Sequence, residues 1–305
     1  MKKLISVIIP AHNEEKVIAK AINSVLSSIY KNYEIIVVND GSTDKTKEIV
    51  EGFIKKYPKK IRLLNFKPIK KGSEMIGRGP AFARNSGAEV ARGDILFFLD
   101  ADDWVTERTL EEIIDAFDRY KNIDFICGNR RVFIPKNIER IFLYGVIARD
   151  EINIIINKDK DEYITNGVSP CPYIMKKSAF IKMGFFDENF YYAEDKIFTQ
   201  KLAKNKINKL LTKKIEWYTD YRSSIKDFVR QCSNVGRMLN TPFKFSHFMK
   251  FLKELFISSL TFPIFFLVMF IYFFRKTRDL TLSSFAPVLY LLRRIVTMYY
   301  FLKFR

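Results

Sequence analysis

The first group of residues suited to chemistry is a run of acids. Asp100, Asp102 and Asp103 fall within four positions, directly after the apolar segment Ile95–Leu99. Carboxylates this close repel one another unless a cation or strong hydrogen-bond donors neutralise them. Hard divalent ions such as Mg²⁺ and Mn²⁺ take oxygen ligands and bridge to substrate phosphates, so the run is typical of a metal–diphosphate site. The alternative is a helix start, where acids are also favoured.

Two further polar groups follow apolar segments. Asp40 comes directly after Glu34–Asn39, where its carboxylate would accept a hydrogen bond from the imide of a nucleobase. A plain turn is the alternative, because Asn, Asp, Gly and Ser all favour turns. Pro10 and His12 end the first apolar run, where the imidazole would stack on a base. There the alternative is a strand-to-helix loop without a ligand.

Two arginines and an acidic pair complete the candidates. Arg78 and Arg84 lie in the segment GRGPAFARNSG, and a guanidinium binds phosphate in a bidentate way. The alternative is a surface arginine on a helix. Glu194 and Asp195 follow the aromatic run Phe190–Tyr192. Burial against aromatic rings raises the pKa of a carboxyl group and suits a general base, whereas the alternative is an acid at a helix N-terminus.

An alternation of apolar runs with helical periodicity must position these residues. Continuous apolar runs separated by amphipathic segments indicate a mostly parallel sheet with helices on both faces. In such sheets ligands bind beyond the carboxyl ends of the strands, which is where the candidate residues fall. The predicted strands are Leu4–Pro10, Glu34–Asn39, Ile61–Phe66, Ile95–Leu99 and Phe125–Ile134; the predicted helices are Val17–Ile29, Asp44–Tyr57, capped by Ser42 or Thr43, Pro80–Ala91, Glu107–Tyr120 and Glu194–Asn205.

Composition excludes several classes of protein. The chain has 305 residues, 48% of them hydrophobic, which is enough for a large core and excludes a disordered or collagen-like chain. Three cysteines cannot form a disulfide framework, and with two histidines they give no zinc-binding spacing. The net charge of +18 admits nucleic acid, an anionic membrane or a phosphorylated substrate as a partner.

The C-terminal segment 241–305 differs in composition from the rest. Phe243–Arg305 holds ten lysines and arginines against two acids, together with 14 of the 29 phenylalanines. Leu255–Phe274 is 20 residues without a charge, close to the length that spans a bilayer. Arg293 and Arg294 interrupt the next apolar stretch, which favours an in-plane amphipathic helix. We therefore expect membrane-associated helices here, re-entrant or in-plane; a true span and a soluble helical extension are the alternatives.

Four segments, in this order, resemble the successive motifs of glycosyltransferase family 2: SVIIPAHNEE, IIVVNDGSTDKT, ARNSGAEVARGDILFFLDADDW and GFFDENFYYAEDKIFTQKL. The resemblance covers about Lys3 to Asn205. It implies an α/β fold of the GT-A type, a Rossmann-like mostly parallel sheet between helices. It further implies a transferase domain over 1–240, with a nucleotide-binding half over about 1–104 and an acceptor half over about 105–240.

The resemblance also implies roles for particular residues. Asp40 would bind the edge of a uracil-type base, and Arg84 would face the nucleotide. The residues bordering the nucleoside would be Pro10, His12 and Glu14.

The carboxylates near the reacting sugar receive roles from the same resemblance. Asp100 would contact the ribose. Asp102, or second Asp103, would hold Mg²⁺ or Mn²⁺ against the diphosphate. Asp195, or second Glu194, would be the catalytic base of an inverting transfer.

The expected reaction moves a sugar from a nucleotide sugar, expected to be a UDP-sugar, to a hydroxyl of a glycan or lipid-linked saccharide. A polyprenyl-phosphate sugar synthase is an alternative with the same chemistry, and a sugar nucleotidyltransferase or a basic nucleic-acid binder are more remote. The acidic character of the site argues against nucleic acid as a partner. Because the donors are made in the cytosol and basic residues resist translocation, we expect the protein at the cytoplasmic face of the cell membrane.

Overall fold

The structure is a computed structural model that describes residues 3–71, 74–133, 162–165, 174–189 and 194–220. All of them belong to one of two units of the chain, which comprises residues 1–133 and 152–220. The predicted boundary at residue 240, the C-terminal segment and the aromatic run Phe190–Tyr192 lie outside the described residues.

The first half of the chain alternates strands and helices as predicted. The connection after the third strand contains a small hairpin that sequence analysis did not find. The elements in chain order are β1 (Ile5–Ala11), α1 (Ile18–Leu26), β2 (Tyr33–Asp40), α2 (Thr46–Lys56), β3 (Ile61–Phe66), the hairpin β4 (Ile69–Lys71) and β5 (Glu74–Ile76), α3 (Pro80–Val90) and β6 (Ile95–Phe98).

The second half has shorter strands. Its elements are β7 (Asp103–Val105), α4 (Thr109–Arg119), β8 (Phe125–Phe133), β9 (Glu162–Thr165), β10 (Ile174–Lys176), α5 (Lys177–Met183), α6 (Glu194–Lys204) and β11 (Lys209–Asp220). The last helix begins at the predicted residue.

The main sheet has the strand order β3-β2-β1-β6-β10-β8-β11-β7, with β9 on the side of β11. The neighbours β3, β2, β1 and β6 are parallel, which confirms the prediction for the first half. In the second half the sheet is mixed, because β10 and β7 run antiparallel to their neighbours. The strand order reverses at β1, and such a reversal opens a crevice at the carboxyl ends of the strands.

Both faces of the central strands β1, β2 and β6 are buried, which explains why these strands are mostly apolar. Ile5, Val7 and Ile9 of β1 pack on one face with helices α1 and α4. Ile8, between them, packs on the other face with helices α3, α5 and α6. Among the described helices, none has the length and apolar character needed to cross a membrane.

The start of α2 differs from its prediction. Neither Ser42 nor Thr43 caps the helix. Instead the Asp44 carboxylate accepts hydrogen bonds from the Thr46 backbone N–H at 3.0 Å and from the Glu15 N–H at 3.0 Å. Burial acts to raise the pKa of Asp44, but these hydrogen bonds outweigh it and lower the pKa. The two oxygens of the carboxylate bind N–H groups from two different loops, and the negative charge strengthens both hydrogen bonds.

Candidate active site

The loops that leave β1 and β2 are joined by hydrogen bonds at the carboxyl edge of the sheet. The Asn13 side-chain oxygen accepts the Thr43 N–H at 2.8 Å, and the Asn13 N–H donates to Ser42 Oγ at 2.9 Å. The Glu14 N–H donates to Thr46 Oγ1 at 2.8 Å. Asn13 itself has φ 60°, a conformation that asparagine tolerates better than most residues. The two loops therefore form one continuous border to the site, with Pro10 partly exposed at its base.

His12 is held against the second strand. Its Nδ1 lies 2.7 Å from the backbone oxygen of Asp40. Because a carbonyl oxygen only accepts, Nδ1 carries the proton and donates. Nε2 lies 3.3 Å from the side-chain nitrogen of Asn13, which donates to it. These contacts fix the orientation of the ring next to Asp40, on the border that the family resemblance gives to the nucleoside.

The Asp40 carboxylate is 3% exposed at the end of β2. Its Oδ2 accepts the backbone N–H of Gly79 at 2.7 Å. Gly79 has φ 112°, which an L-residue rarely adopts, and this conformation turns the N–H toward the carboxylate. Within the described part of the chain, Oδ1 is buried with no hydrogen-bond partner. A buried carboxylate oxygen without a donor is costly, so this atom fits a ligand N–H such as the imide of a nucleobase.

The acidic run forms a turn between β6 and β7. The Asp103 N–H donates to the backbone oxygen of Asp100 at 3.0 Å, which closes the turn. Asp103 is buried in β7, whereas the side chain of Asp100 is 40% exposed and Asp102 is partly exposed. The helix-start alternative is not what the structure shows, because β7 follows and α4 begins only at Thr109.

The residues of this turn fit a hard divalent cation only in part. Carboxylate oxygens are the ligands that Mg²⁺ and Mn²⁺ prefer, and Asp102 offers them at the partly exposed position. Among the described residues, no three side chains of the metal-binding types converge as a ready-made cage. A cation here would therefore take most of its ligands from water and substrate phosphates, as Mg²⁺ commonly does.

Arg84, on α3, joins the acidic run to the acidic pair. Its Nη2 lies 2.8 Å from Asp100 Oδ1 and its Nη1 lies 2.7 Å from Glu194 Oε1, and the side chain is only 10% exposed. Burial acts to lower the pKa of the guanidinium, but the two carboxylates outweigh it and raise the pKa. The surface-arginine alternative is wrong for Arg84. Its two terminal nitrogens bind protein carboxylates, a geometry different from the nucleotide contact that the resemblance implies.

The acidic pair opens α6, and its two members differ in environment. Glu194 is 7% exposed and paired with Arg84. Burial raises its pKa, opposed by Arg84 and reinforced by the neighbouring Asp195. Asp195 is more exposed than Glu194. Glu194 is thus committed to an ion pair, which leaves Asp195 as the member better placed to meet a substrate.

Sequence analysis missed two residues of the site. Gly79 supplies the N–H to Asp40, and Asn85, next to Arg84, binds the backbone of Phe186. Both stand in the GRGPAFARNSG segment, which was read only for its arginines. Arg78, the other arginine there, lies 4.9 Å from the ring centroid of Phe82 and is half-buried.

Comparisons with known proteins bear on the family to which the chain belongs. The family model described as Glycosyl transferase family 2 matches residues 6–184. A glycosyltransferase of Haemophilus influenzae is 35% identical over 53% of this chain and 56% of its own length. Poly(ribitol-phosphate) beta-N-acetylglucosaminyltransferase TarP of Staphylococcus aureus is 32% identical over 73% of this chain and 65% of its own length. This chain thus spans less than two thirds of either relative.

Solved structures share the fold. Staphylococcus aureus TarS in complex with UDP-GlcNAc has a TM-score of 0.53 and 21% identity, covering 97% of this chain and 89% of that one. The mannosyltransferase PcManGT of Pyrobaculum calidifontis, solved with GDP-Man and Mn²⁺, has a TM-score of 0.55 and 18% identity, covering 78% and 64%. At these identities the likeness shows the fold alone, a GT-A-like α/β architecture. With the family model matching more than half of its residues, the chain belongs to glycosyltransferase family 2.

Proposed function

We propose that the protein is an inverting glycosyltransferase that moves a sugar from a nucleotide sugar to a hydroxyl group. The observation that carries the proposal is the contact of Arg84 with both Asp100 and Glu194. This contact brings the candidate donor site, at the end of β6, next to the candidate base at the start of α6. A transferase needs this proximity, because the acceptor must attack a carbon held by the donor site.

The donor is a UDP-sugar in this proposal. The unpartnered Oδ1 of Asp40 would accept the imide N–H of uracil, and Pro10, His12 and Glu14 would border the nucleoside. Asp100, whose side chain is 40% exposed, would meet the ribose. The names of the TarP relative and of the TarS complex add N-acetylglucosamine as the first sugar to test.

Asp195 is the base in the proposed mechanism. The acceptor hydroxyl attacks the anomeric carbon from the face opposite the diphosphate, so the configuration inverts. Asp195 takes the hydroxyl proton as the new bond forms, which contributes about 10²–10⁴-fold to the rate. The nucleoside diphosphate leaves with the bonding electrons. Glu194 remains paired with Arg84 and takes no proton in this scheme.

Asp102, with Asp103 as the second choice, would hold Mg²⁺ or Mn²⁺. Such a cation, when bound, offsets the negative charge that grows on the departing diphosphate. The protein needs that help, because the described site contains several carboxylates and Arg84 is already engaged by two of them.

The acceptor we propose is a hydroxyl of a glycan or lipid-linked saccharide, not a lipid phosphate. The relatives TarP and TarS are named for transfer to poly(ribitol-phosphate), and GgaB of Bacillus subtilis is named for minor teichoic acid biosynthesis. These names favour hydroxyl-rich polymers over polyprenyl phosphate, which stays the alternative. The basic C-terminal segment would bring the protein to the cytoplasmic face of the membrane.

The two acids of the pair allow a test with matched variants. Transfer of labelled N-acetylglucosamine from its UDP-sugar to a poly(ribitol phosphate) acceptor is measured for the wild type, Asp195→Asn and Glu194→Gln. We expect Asp195→Asn to keep donor binding and to lose transfer by about 10² or more. Glu194→Gln should lose less activity than Asp195→Asn, since an amide oxygen still accepts from Arg84 although the ion pair is weakened. An inactive Glu194→Gln beside an active Asp195→Asn would show that Glu194 is the base.

A further inference from the structure

Helix α3 binds the acceptor half through two consecutive side chains. The Asn85 amide donates to the Phe186 carbonyl at 3.0 Å and to Glu188 Oε1 at 2.8 Å, and its oxygen accepts the Phe186 N–H at 3.0 Å. Asn85 thus satisfies both backbone groups of one residue, as a neighbouring strand would. It is 5% exposed, so water does not compete for these bonds.

Arg84 makes the second attachment, to a residue that lies eight positions after Phe186. It binds Glu194, the first residue of α6, and its guanidinium lies 5.7 Å from the ring centroid of Phe186. Arg84 therefore contacts both Phe186 and Glu194, whereas Asn85 binds only at and near Phe186. Its remaining partner, Asp100, belongs to the candidate donor site.

We propose that Arg84 and Asn85 are positioning residues that act as one clamp, holding the base Asp195 at a fixed distance from Asp100 and stiffening when donor occupies the site. The inference rests on the proposed function, because it takes Asp195 as the base and Asp100 as a donor contact. It differs from the implied role of Arg84 as a nucleotide ligand, since the clamp acts through protein carboxylates.

The coupling has an electrostatic cause. The Asp100 side chain is 40% exposed, so water weakens its attraction to Arg84 when the site is empty. A bound donor covers Asp100 and excludes that water, which strengthens the ion pair. A better-fixed Arg84 also holds Glu194 more firmly, and the first turn of α6 with it. Because coupling between two sites is reciprocal, loosening α6 must weaken donor binding by the same factor by which donor stiffens α6.

Hydrogen exchange at the Phe186 amide reports the clamp directly, because that N–H is bound to Asn85. Exchange at Phe186 and over residues 194–199 is measured with and without UDP-GlcNAc and Mn²⁺. In the wild type we expect donor to slow exchange at both places by about 5-fold or more. In Arg84→Lys, which keeps the charge but cannot bridge two carboxylates, this slowing should disappear. Without nucleotide, Arg84→Lys should already speed exchange at Phe186.

A matched control exists at the opposite edge of the sheet. Glu34 is a buried carboxylate with two arginine partners, Arg62 and Arg92. Glu34→Gln removes one charge from a comparable cluster and should leave the donor-dependent slowing of exchange at Phe186 intact. Asn85→Asp is the second variant, since it keeps the shape of the side chain but turns an oxygen toward the Phe186 carbonyl. It should abolish the donor effect as Arg84→Lys does.

Kinetics separate positioning from nucleotide binding. If the clamp is right, Arg84→Lys lowers kcat by about 10²-fold, as a small misplacement does, and raises the Kd for UDP by no more than the coupling, about 5-fold. A Kd for UDP that rises in step with the loss of kcat would mean that Arg84 binds the nucleotide, and would overturn the clamp. Unchanged Phe186 exchange in nucleotide-free Arg84→Lys would overturn it as well. A wild type that binds no nucleotide sugar would instead refute the proposed function.

Discussion

At the scale of single residues, the partners of a buried carboxylate distinguish a structural role from a binding role. Glu34 lies near the amino end of β2, and both its oxygens accept hydrogen bonds from Ser6, Arg62 and Arg92. Asp40 lies at the other end of the same strand, and one of its oxygens has no partner among the described residues. A fully paired carboxylate stabilises the fold, whereas an unpaired one is retained where a ligand supplies the missing donor.

Glu34 gives a prediction for stability against pH. Burial acts to raise its pKa, but hydrogen bonds and Arg62 outweigh it, so the pKa lies below its ordinary value of 4.5. A lowered pKa in the folded state adds stability above pH 4.5, and this stability is lost as pH falls through the folded pKa. The Tm of Glu34→Gln should therefore be lower than that of the wild type at pH 7, and the gap should narrow below about pH 4.5. A gap that is constant from pH 7 to 3.5 would contradict this account.

At the scale of elements, local pattern predicted the first half of the sheet but not the contacts between distant segments. Ile61–Phe66 was predicted to the residue, because a short, mostly apolar run between lysine-rich segments has few other solutions. The contact of Arg84 with Glu194 joins residues 110 apart, and no periodicity reports it. Sequence placed both residues in a site without revealing that they are partners.

The packing of α3 on the sheet gives the prediction at this scale. A Cβ added at Gly87 would meet a methyl of Ile8 well inside contact distance, with a methyl of Val38 at 3.2 Å. Glycine therefore lets the helix approach β1 and β2 closely. Gly87→Ala should destabilise the fold by about 1–3 kcal/mol through overpacking. Because α3 also carries Arg84, transfer should fall too; urea denaturation gives the stability, and an unchanged midpoint would contradict the close approach.

At the scale of the whole molecule, charge is distributed unevenly. The chain carries a net charge of +18, yet the candidate site is rich in carboxylates. The excess of basic residues in Phe243–Arg305 suits an anionic surface, where each contributes about 1 kcal/mol. We propose that the described residues supply the chemistry and that the C-terminal segment supplies the location.

Deleting Phe243–Arg305 tests whether the C-terminal segment binds the membrane while the rest of the chain binds the donor. The shortened protein should bind UDP-GlcNAc like the full chain but no longer sediment with vesicles of phosphatidylglycerol and phosphatidylethanolamine. Its transfer to lipid-borne acceptor should fall more than its transfer to soluble acceptor. If the full-length chain fails to sediment with these vesicles, the segment is a soluble extension instead.

The central claim is that the carboxyl edge of the sheet binds a nucleotide sugar through Asp40 and a metal at Asp102. Calorimetric titration of UDP-GlcNAc in Mn²⁺ or in EDTA tests it on the wild type, Asp40→Asn and Asp102→Asn. We predict binding by the wild type in Mn²⁺, its loss in EDTA and in Asp102→Asn, and weakening by about 1–3 kcal/mol in Asp40→Asn. Equal affinity in all three proteins, with or without metal, would contradict the account.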